Sequence, residues 1–303
     1  MYTILIAGGT GLIGCHLSEM LTDQGHTVHL LSRTADPDAT YKTFVWDVMK
    51  GEIDEAALSS ADFVINFAGA GIADKRWTDK RKKLIIDSRV KGNELLAEML
   101  PKFPNVKAYI SASAIGYYGD RGTESLPESA SAGKDGFLAE SVVAWEKSIE
   151  KVAETGLRTV TIRIGIVLST KGGALEKLLL PFNFWLGVYF GNGEQIYSWI
   201  HIEDLCRIFI MAIEEKEMKG VYNGVAPHPV SNKEFTEITA KALDKSALLI
   251  PSPSFAMRLA MGEMAAVVLS GSKVVSEKIE KAGFNFQYPK LKPALENILT
   301  RKI

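Results

Sequence analysis

Short, continuous apolar runs alternate with helically spaced apolar positions through the first half of the 303-residue chain. The runs occupy positions 2–7, 27–32, 43–46, 62–66, 108–112 and 158–167. Helical spacing follows the first run and recurs at 80–100 and 136–155. Continuous apolar runs are typical of strands buried on both faces, and helices between such strands cover a parallel sheet. The pattern therefore predicts an α/β fold with a Rossmann-type, doubly wound parallel sheet.

The alternation becomes irregular after residue 168, where glycine and proline interrupt the chain repeatedly. Strand-like pieces at 197–202 and 221–225 alternate there with helical pieces at 204–215 and 232–243. Such punctuation is typical of a smaller lobe with many turns. We therefore predict a chain in three parts. They are a dinucleotide-binding core at 1–168, an interleaved substrate lobe at 169–250 that returns to the core, and a helical C-terminal segment at 251–303.

A glycine-rich turn joins the first apolar run to the first helical pattern. Its members are Gly8, Thr10, Gly11, Leu12, Ile13 and Gly14. Glycine allows a tight turn in which the backbone approaches a ligand closely, and the amides and dipole at the start of the new helix attract a pyrophosphate. A second strand at 27–32 follows at the distance that a βαβ unit requires. We predict a dinucleotide site here, and an ordinary structural turn is the alternative.

The end of the second predicted strand indicates the type of dinucleotide. An NAD site places Asp or Glu there to bind the ribose 2′-hydroxyl, whereas an NADP site uses cations. The strand ends at Ser32-Arg33, and no acidic residue occurs before Asp36. A guanidinium can hold a 2′-phosphate through paired charged hydrogen bonds, and a serine hydroxyl can add another. The sequence therefore predicts NADP(H) as the cofactor, and a solvated surface arginine is the alternative.

Two further predicted strands end on polar residues, Asp47 and Asn66. Ligands of a doubly wound sheet lie across the carboxyl ends of its strands. We therefore expect Arg33, Asp47 and the 66–70 loop to line one crevice. A turn role for Asp47, and a role for Asn66 in satisfying the loop backbone, are the alternatives.

Composition and charge narrow the range of partners. The chain has 35 Lys and Arg against 36 Asp and Glu, and its net charge of −1 favours a small-molecule ligand over nucleic acid. Cys15 and Cys206 have no paired spacing, which predicts a reducing compartment. The most apolar late stretch, 255–269, contains charged residues and is too short to span a bilayer, and the N-terminus lacks the features of a signal peptide. We expect a cytoplasmic protein without a membrane or metal partner, and the oligomeric state stays open.

Several short motifs occur together and in one order along nearly the whole chain. They are Gly8-Gly-Thr-Gly-Leu-Ile-Gly14, Asn66-Phe-Ala-Gly69, Ser88-Arg89, Ser111-Ala-Ser-Ala-Ile-Gly-Tyr-Tyr-Gly119, Phe137-Leu-Ala-Glu140, Trp145-Glu146, Arg163-Ile-Gly165, Trp199-Ile-His-Ile-Glu-Asp204, Gly262-Glu-Met264 and Gly283-Phe-Asn-Phe286. On these motifs the chain resembles the extended or atypical short-chain dehydrogenases/reductases. More narrowly, it resembles the NAD(P)-dependent epimerase family subgroup that carries a C-terminal domain of unknown function and is often labelled as SulA-like cell-division proteins.

The resemblance implies that further residues hold the cofactor. The set implied for the adenine, adenosine and pyrophosphate is Asp47, Val48, Asn66, Phe67, Ala68 and Gly69. Ser111 and Ser113 would lie near the nicotinamide. Arg163 and Ile164 at the end of a later strand are also predicted to contact the cofactor, and Arg89 in the long helix is a second candidate for binding an anion.

The chain departs from the family pattern where proton transfer is expected. Short-chain dehydrogenases generally use a Tyr whose phenol is acidified by a Lys four residues later, because a nearby cation stabilises the phenolate. The two plausible registers here are Phe137/Ser141 and Leu138/Val142, and neither can transfer a proton in that way. Ser113 is the remaining catalytic serine candidate. Alternative proton donors and acceptors are Tyr117, its neighbour Tyr118, and Glu140; lining a pocket is the other interpretation of these residues.

The second lobe contributes aromatic residues, at 183–190 and at Trp199, that we expect to line a substrate pocket, and a place in the hydrophobic core is the alternative. His201 and Asp204 begin a helical pattern, where they are predicted either to cap the helix or to take part in catalysis. Two functions stay open. One is an NADP(H)-dependent oxidoreductase or epimerase of an unknown small substrate, with a nucleotide-sugar-like molecule as one candidate. The other is a non-catalytic NADP(H)-binding sensor or interaction protein.

Overall fold

The computed structural model describes residues 1–34, 38–134 and 136–300. Asp36 and the last three residues of the predicted C-terminal segment lie outside these ranges. The strands are β1 Thr3–Ala7, β2 Thr27–Ser32, β3 Lys42–Asp47, β4 Glu52–Ile53, β5 Phe63–Asn66, β6 Ala108–Ala114, β7 Gly122–Leu126, β8 Thr159–Ile164, β9 Ile166–Leu168, β10 Leu186–Phe190, β11 Ile196–Tyr197, β12 Trp199–His201, β13 Gly220–Gly224, β14 Val230–Ser231, β15 Leu248–Ser252 and β16 Ser272–Val274. The helices are α1 Leu12–Asp23, α2 Glu55–Ser59, α3 Asp79–Met99, α4 Phe137–Ala153, α5 Ala174–Leu179, α6 Ile202–Glu214, α7 Asn232–Ala242, α8 Ser254–Met261, α9 Ala266–Leu269, α10 Glu277–Lys281 and α11 Leu291–Thr300.

The central sheet has the strand order β13-β8-β6-β5-β1-β2-β3-β4. Its neighbours are parallel except for the short β4, which runs antiparallel to β3. The chain moves outward from β1 through β2 and β3 and then returns to place β5 on the other side of β1. This reversal opens a crevice at the carboxyl ends of β1 and β5. The predicted Rossmann-type, doubly wound sheet is confirmed.

Helices cover the two faces of this sheet. α1 packs against α6, and α3 packs against α4. Because parallel crossovers are right-handed, reversing the direction of strand addition at β1 sends the later helices to the opposite face. The strands between the helices are buried, and Ile4, Leu5 and Ile6 of β1 have no exposed surface. Within the described part of the chain, no helix combines the length and apolar character that crossing a bilayer requires.

The apolar run at 158–167 forms two strands, although the sequence predicts one. The break is at Gly165, where a Cβ would lie 2.5 Å from the carbonyl oxygen of Ser198. β8 belongs to the central sheet, whereas β9 pairs with β12 outside it. The carbonyl of Ser198 accepts the amide of Ile166, so the close approach at Gly165 lets the chain change partners.

The C-terminal segment packs on both preceding parts of the chain. α11 packs against α7 in a second core, and β16 pairs in parallel with β7. The carboxylate of Asp204 accepts the backbone amides of Gln287 and Tyr288 at 2.9 and 2.8 Å, which ties the segment to α6. The predicted boundary at 250/251 falls inside β15, and the segment predicted as helical also contains β16. The division of the chain into three parts therefore stays a prediction from the sequence.

Candidate functional site: a dinucleotide cradle and the cavity beside it

The turn after β1 lies in contact with the loop after β5. Gly8 has φ +75°, and a Cβ there would come within 2.9 Å of the backbone nitrogen of Ala68. A Cβ on Gly14 would lie 2.5 Å from the carbonyl oxygen of Gly8. Only glycine fits both positions, because the close contacts are with backbone atoms that cannot rotate away. The two loops thus form one narrow cradle at the crevice, which we call the cradle from here on.

The start of α1 opens into this cradle. Gly11 is the N-cap residue, and no side chain caps the helix. Thr10 and Gly11 are exposed, while Leu12 and Ile13 are half-buried. The first amides of a helix have no partner within it, and the helix dipole adds partial positive charge at this end. The cradle therefore fits a pyrophosphate group, as the sequence predicts, and each residue's own contact with a cofactor stays a prediction.

The ends of β2 and β3 lie side by side, because Ser32 is in register with Val45. Arg33 is exposed directly after β2. Asp47 accepts the backbone amides of Met49 and Lys50 at 2.9 and 3.3 Å, so its carboxylate holds a turn. Val48 lies near Gly92 of α3. This geometry supports the turn interpretation of Asp47, and an adenine contact from Asp47 or Val48 stays a prediction.

The buried side chain of Asn66 holds the backbone of the loop after β5 in place. Its Nδ2 donates to Asn93 Oδ1 at 3.0 Å and to the Tyr109 hydroxyl at 2.9 Å, and its Oδ1 accepts the amide of Ala68 at 2.9 Å. The side chain is buried, as is Tyr109, whose pKa is raised to about 12 by burial. Asn66 therefore fixes the backbone of Ala68, while the neighbouring Phe67 packs on Phe209.

Arg89 projects from α3 toward the same loop. Its Nη1 donates to the carbonyl oxygens of Ala70 and Ile85 at 3.0 and 2.9 Å, and its guanidinium lies 4.8 Å from the ring centre of Trp145. A Cβ on Gly69 would lie 2.8 Å from the guanidinium carbon. Burial, together with the like charge of Arg81, lowers the pKa of Arg89 to about 10. No ion pair of Arg89 is found among residues 1–34, 38–134 and 136–300.

A cavity of about 790 Å³ adjoins Arg89, and we call it the reacting cavity. One wall is the start of α4, which contributes Phe137, Leu138, Ser141 and Val142. Both registers predicted for the missing Tyr and Lys therefore face the cavity. The groups present there are apolar apart from Ser141, whose hydroxyl donates to the carbonyl of Leu138. This wall holds neither a phenol nor an ammonium, in agreement with the departure noted from the sequence.

The two serines predicted near the nicotinamide lie inside the protein. Ser113 is buried, and its hydroxyl donates to Glu146 Oε1 at 2.5 Å. Ser111 has no exposed surface. Ala114, which follows Ser113 in β6, lines the reacting cavity instead, because successive side chains of a strand point to opposite faces. A direct catalytic or cofactor contact from either serine stays a prediction that this geometry does not support.

Arg163 forms a buried ion pair with Glu146. Nε donates to Oε1 at 2.8 Å and Nη2 donates to Oε2 at 2.7 Å. Burial alone would lower the pKa of Arg163, but the hydrogen bonds and charge of Glu146 outweigh it, so the pKa is raised. Since this charge is already neutralised, the structure gives no support to an anion-binding role. The adjacent Ile164 lines the reacting cavity.

The alternative proton donors cluster around this ion pair. The Tyr117 ring lies 3.5 Å from the guanidinium carbon of Arg163. The Tyr118 hydroxyl donates to Asn223 and accepts from Arg163, and burial raises its pKa. Neither tyrosine is among the cavity-lining residues, and the exposed Glu140 is not among them either. Catalysis by Tyr117 therefore stays a prediction.

The residues predicted to act in the second lobe lie in capping, exposed or core positions. His201 Nδ1 accepts the amide of Glu203 at the start of α6, which is the capping geometry. Phe184 and Trp185 are exposed and Trp199 is fully buried, and none of the aromatic residues predicted for the lining is among the residues that line the reacting cavity. The aromatic rings that line it are instead Trp77, Phe137, Trp145 and Tyr197.

The C-terminal segment supplies a cavity wall that sequence reasoning missed. Residues 262–272 line the cavity opposite α4, together with Arg258 of α8. Lys82 of α3 donates to Glu263 Oε2 at 2.5 Å, and the Tyr197 hydroxyl donates to the carbonyl of Val268 at 3.0 Å. Burial raises the pKa of Tyr197. The motif Gly262-Glu-Met264, noted only for the resemblance, was the available signal for this wall.

The cradle at the β1/β5 crevice and the adjoining cavity define a Rossmann-type dinucleotide-binding protein. The model of the NAD dependent epimerase/dehydratase family matches residues 4–223, and a domain of unknown function (DUF1731) matches residues 252–298. The chain belongs to this epimerase/dehydratase family. It is 35% identical over 298 residues to the epimerase family protein YfhF of Bacillus subtilis, covering 98% of this chain and 97% of that protein.

Two solved structures extend the likeness to the whole fold. The structure of human epimerase family protein SDR39U1 (isoform 2) with NADPH is 33% identical with a TM-score of 0.88, covering 98% of this chain and 99% of that one. The nucleoside-diphosphate sugar epimerase of Corynebacterium glutamicum is also 33% identical, with a TM-score of 0.80, covering 98% of this chain and 58% of that one. Each likeness therefore covers nearly the whole of this chain.

Proposed function

We propose that the protein is an NADP(H)-dependent oxidoreductase or epimerase that works without the usual Tyr-x-x-x-Lys pair. The observation that carries the proposal is the cradle, in which Gly8 and Gly14 leave no room for a side chain and the uncapped start of α1 supplies free amides. A cavity directly beside the cradle could hold a substrate against the nicotinamide. Gly69 and Arg89 lie between the two, so Arg89 is suited to pair with a cofactor phosphate.

NADP(H) is favoured over NAD(H) by the residues after β2. Arg33 is exposed beside the end of β3, whose only carboxylate at that point, Asp47, is occupied by its own turn. No acid is therefore placed to accept the 2′-hydroxyl of NAD among the described residues that follow β2 directly. NADPH in the human relative supports the same choice.

The chemistry that fits the cavity is hydride exchange between the nicotinamide and a bound substrate. The cofactor would supply the hydride, and a carbonyl reduced there would take its proton from solvent water, since the α4 wall has no phenol. The same α4 wall also favours a second candidate, an NADP(H)-binding sensor or interaction protein without catalysis. Binding is common to both candidates, and hydride exchange separates them.

Cofactor choice is tested by thermal unfolding in NADPH and in NADH. A ligand at about 100 times its Kd stabilises the native state by roughly 2.7 kcal/mol, which gives a measurable rise in Tm. We expect a larger rise with NADPH, and Arg33→Ala should remove the difference. Lys216→Ala, at an exposed position in the loop before β13, is the matched control. Equal shifts with the two cofactors in the unchanged protein would contradict the proposal.

Hydride exchange is tested with NADPH that carries deuterium at C4. The protein is incubated with a metabolite mixture and either this cofactor or NADP⁺, because an epimerase must first pass a hydride from its substrate to the oxidised cofactor. The products are examined for deuterium by mass spectrometry and for inverted centres. An oxidoreductase transfers the label, and an epimerase inverts a centre without net oxidation of the cofactor. Protection by NADPH without any labelled or inverted product would select the sensor.

A further inference from the structure

We infer that the substrate is an amphiphilic anion, with an apolar body in the reacting cavity and one terminal carboxylate or phosphate at two arginines on its rim, Arg76 and Arg258. The reaction assigned to this molecule rests on the proposed function, but its binding does not. Three features of the molecule support this inference: the wall of the cavity, the arginines at its rim and the charges of the nearby chain.

Most of the side chains that line the cavity are apolar, and polar ones such as Arg89, Ser141 and Glu263 already have partners within the protein. Trp77 and Ile85 come from the α3 side, Phe137 and Trp145 from α4, and Val267 from the C-terminal segment. The hydroxyl of Tyr197, which also lines the cavity, already donates to the carbonyl of Val268. A sugar ring presents hydroxyl groups on all sides, and each buried hydroxyl without a partner costs free energy. This wall therefore suits a hydrocarbon or aromatic body better than a sugar.

Two arginines lie close to Gly262 at the rim, Arg76 by its side chain and Arg258 by its backbone. A Cβ on Gly262 would lie 3.0 Å from Nε and 3.1 Å from Nη2 of Arg76, so that guanidinium rests against Gly262. The amide of Gly262 donates to the carbonyl of Arg258, one helical turn earlier, and Arg258 and Gly262 both line the cavity. Neither arginine takes part in an ion pair within the described chain.

The acids near the rim are engaged elsewhere. Glu263 is paired with Lys82, and Asp74 with Arg81 at 3.2 Å. Asp120 Oδ1 accepts the amides of Gly122 and Gly271 at 3.3 and 3.5 Å. In the segment at 75–83, Lys83 is also paired, with Asp87, so its remaining charges are three basic residues (Lys75, Arg76 and Lys80) against one acid, Asp79. The field of this segment is therefore positive, although the whole protein has a net charge of −1. A positive mouth over an apolar cavity selects a molecule with an anion at one end.

Binding is tested with 8-anilinonaphthalene-1-sulfonate, an aromatic anion that fluoresces in apolar sites, in the full chain with and without saturating NADPH. Decanoate, decyl phosphate and decanol compete for the probe, and UDP-glucose is the sugar competitor. We expect both decyl anions to displace the probe at lower concentration than decanol. Preference for decanoate assigns a carboxylate, and preference for decyl phosphate assigns a phosphate ester.

Variants locate the site. Arg76→Ala combined with Arg258→Ala should lower the affinity for both decyl anions by about tenfold and leave the affinity for decanol unchanged, because only the charged hydrogen bonds are lost. Val142→Phe should weaken the binding of all three decyl compounds, because the larger side chain fills the cavity. The melting curve of this variant in NADPH shows whether the fold is kept. Lys216→Ala again serves as the control.

Three results would overturn the inference. They are displacement of the probe by UDP-glucose at lower concentration than by decanoate, equal anion affinity in the double arginine variant, and unchanged affinities in a folded Val142→Phe protein. Failure of the proposed function would look different, because the protein would then gain no stability from NADPH while the arginine dependence of the probe could persist.

Discussion

The cradle and the reacting cavity meet at Gly69 and Arg89 but are built in different ways. The cradle is made of backbone atoms from 8–14 and 66–69, and its geometry follows from glycine and from an uncapped helix. The cavity is made of side chains from α3, α4, β11 and the C-terminal segment, far apart in the chain. The cradle has the features that bind a dinucleotide, whereas the α4 wall of the cavity lacks the Tyr and Lys that usually move a proton. Cofactor binding and proton transfer are therefore separable properties of this fold.

The largest effect is expected at the ion pair of Arg163 with Glu146, which tests whether Arg163 belongs to the cofactor site or to the protein interior. The sequence assigns Arg163 to the cofactor, whereas the structure pairs it internally. Arg163→Met would leave the buried Glu146 carboxylate without its cation, with Ser113 as a remaining hydrogen-bond donor, which costs about 3–5 kcal/mol of unfolding free energy. Urea denaturation measures this loss, and the double variant Glu146→Leu/Arg163→Met should recover much of it. A weaker NADPH affinity at unchanged stability would instead return Arg163 to the cofactor site.

The cradle is tested by adding single methyl groups to it. Gly14→Ala places a Cβ against the carbonyl of Gly8 and the Cα of Gly9, at 2.5 and 2.6 Å. We expect a loss of about 1–3 kcal/mol from overpacking and no stabilisation by NADPH. Gly11→Ala is the matched control, since its Cβ would be 3.3 Å from its nearest neighbour, the same carbonyl oxygen, and most of the stabilisation by NADPH should remain. Equal behaviour of the two variants would mean that backbone packing does not define the cradle.

The difference between the two regions also explains what the sequence could predict. The cradle follows from residues that are close in sequence, so the strand, the glycines and the sheet were predicted correctly. Ser113 and Ala114 differ by one position on a strand, and only the three-dimensional register decides that Ala114 faces the cavity. The wall formed by 262–272 depends on contacts with α3 and β11 across the chain, which periodicity cannot indicate.

Ser113→Ala distinguishes a catalytic hydroxyl from a supporting one. A general acid/base role predicts a loss of roughly 10²–10⁴-fold in turnover. The geometry predicts a turnover change below about tenfold and a loss of about 1–2 kcal/mol, because the charged Glu146 loses one hydrogen-bond donor. Labelled-hydride transfer and urea denaturation measure the two effects, and Tyr117→Phe provides the same comparison for the phenol. A large rate loss at unchanged stability would show that Ser113 reaches the reacting atoms.

The smallest expected effect concerns Arg89, which lies where the two regions meet. Its pKa is lowered to about 10 by burial and by Arg81, so the folded protein loses this proton where the unfolded chain keeps it. The charged form therefore costs stability below pH 10, and that cost is relieved as the pH rises through 10. If Arg89 binds a cofactor phosphate, NADPH affinity should be constant from pH 7 to 9 and weaken by up to about twofold at pH 10, where half of the free arginine is neutral. Fluorescence titration of NADPH measures this change, and Arg89→Met should bind more weakly with no such step. The same step in Arg89→Met would assign the titration to another group and leave Arg89 as a purely structural link between α3 and the 66–70 loop.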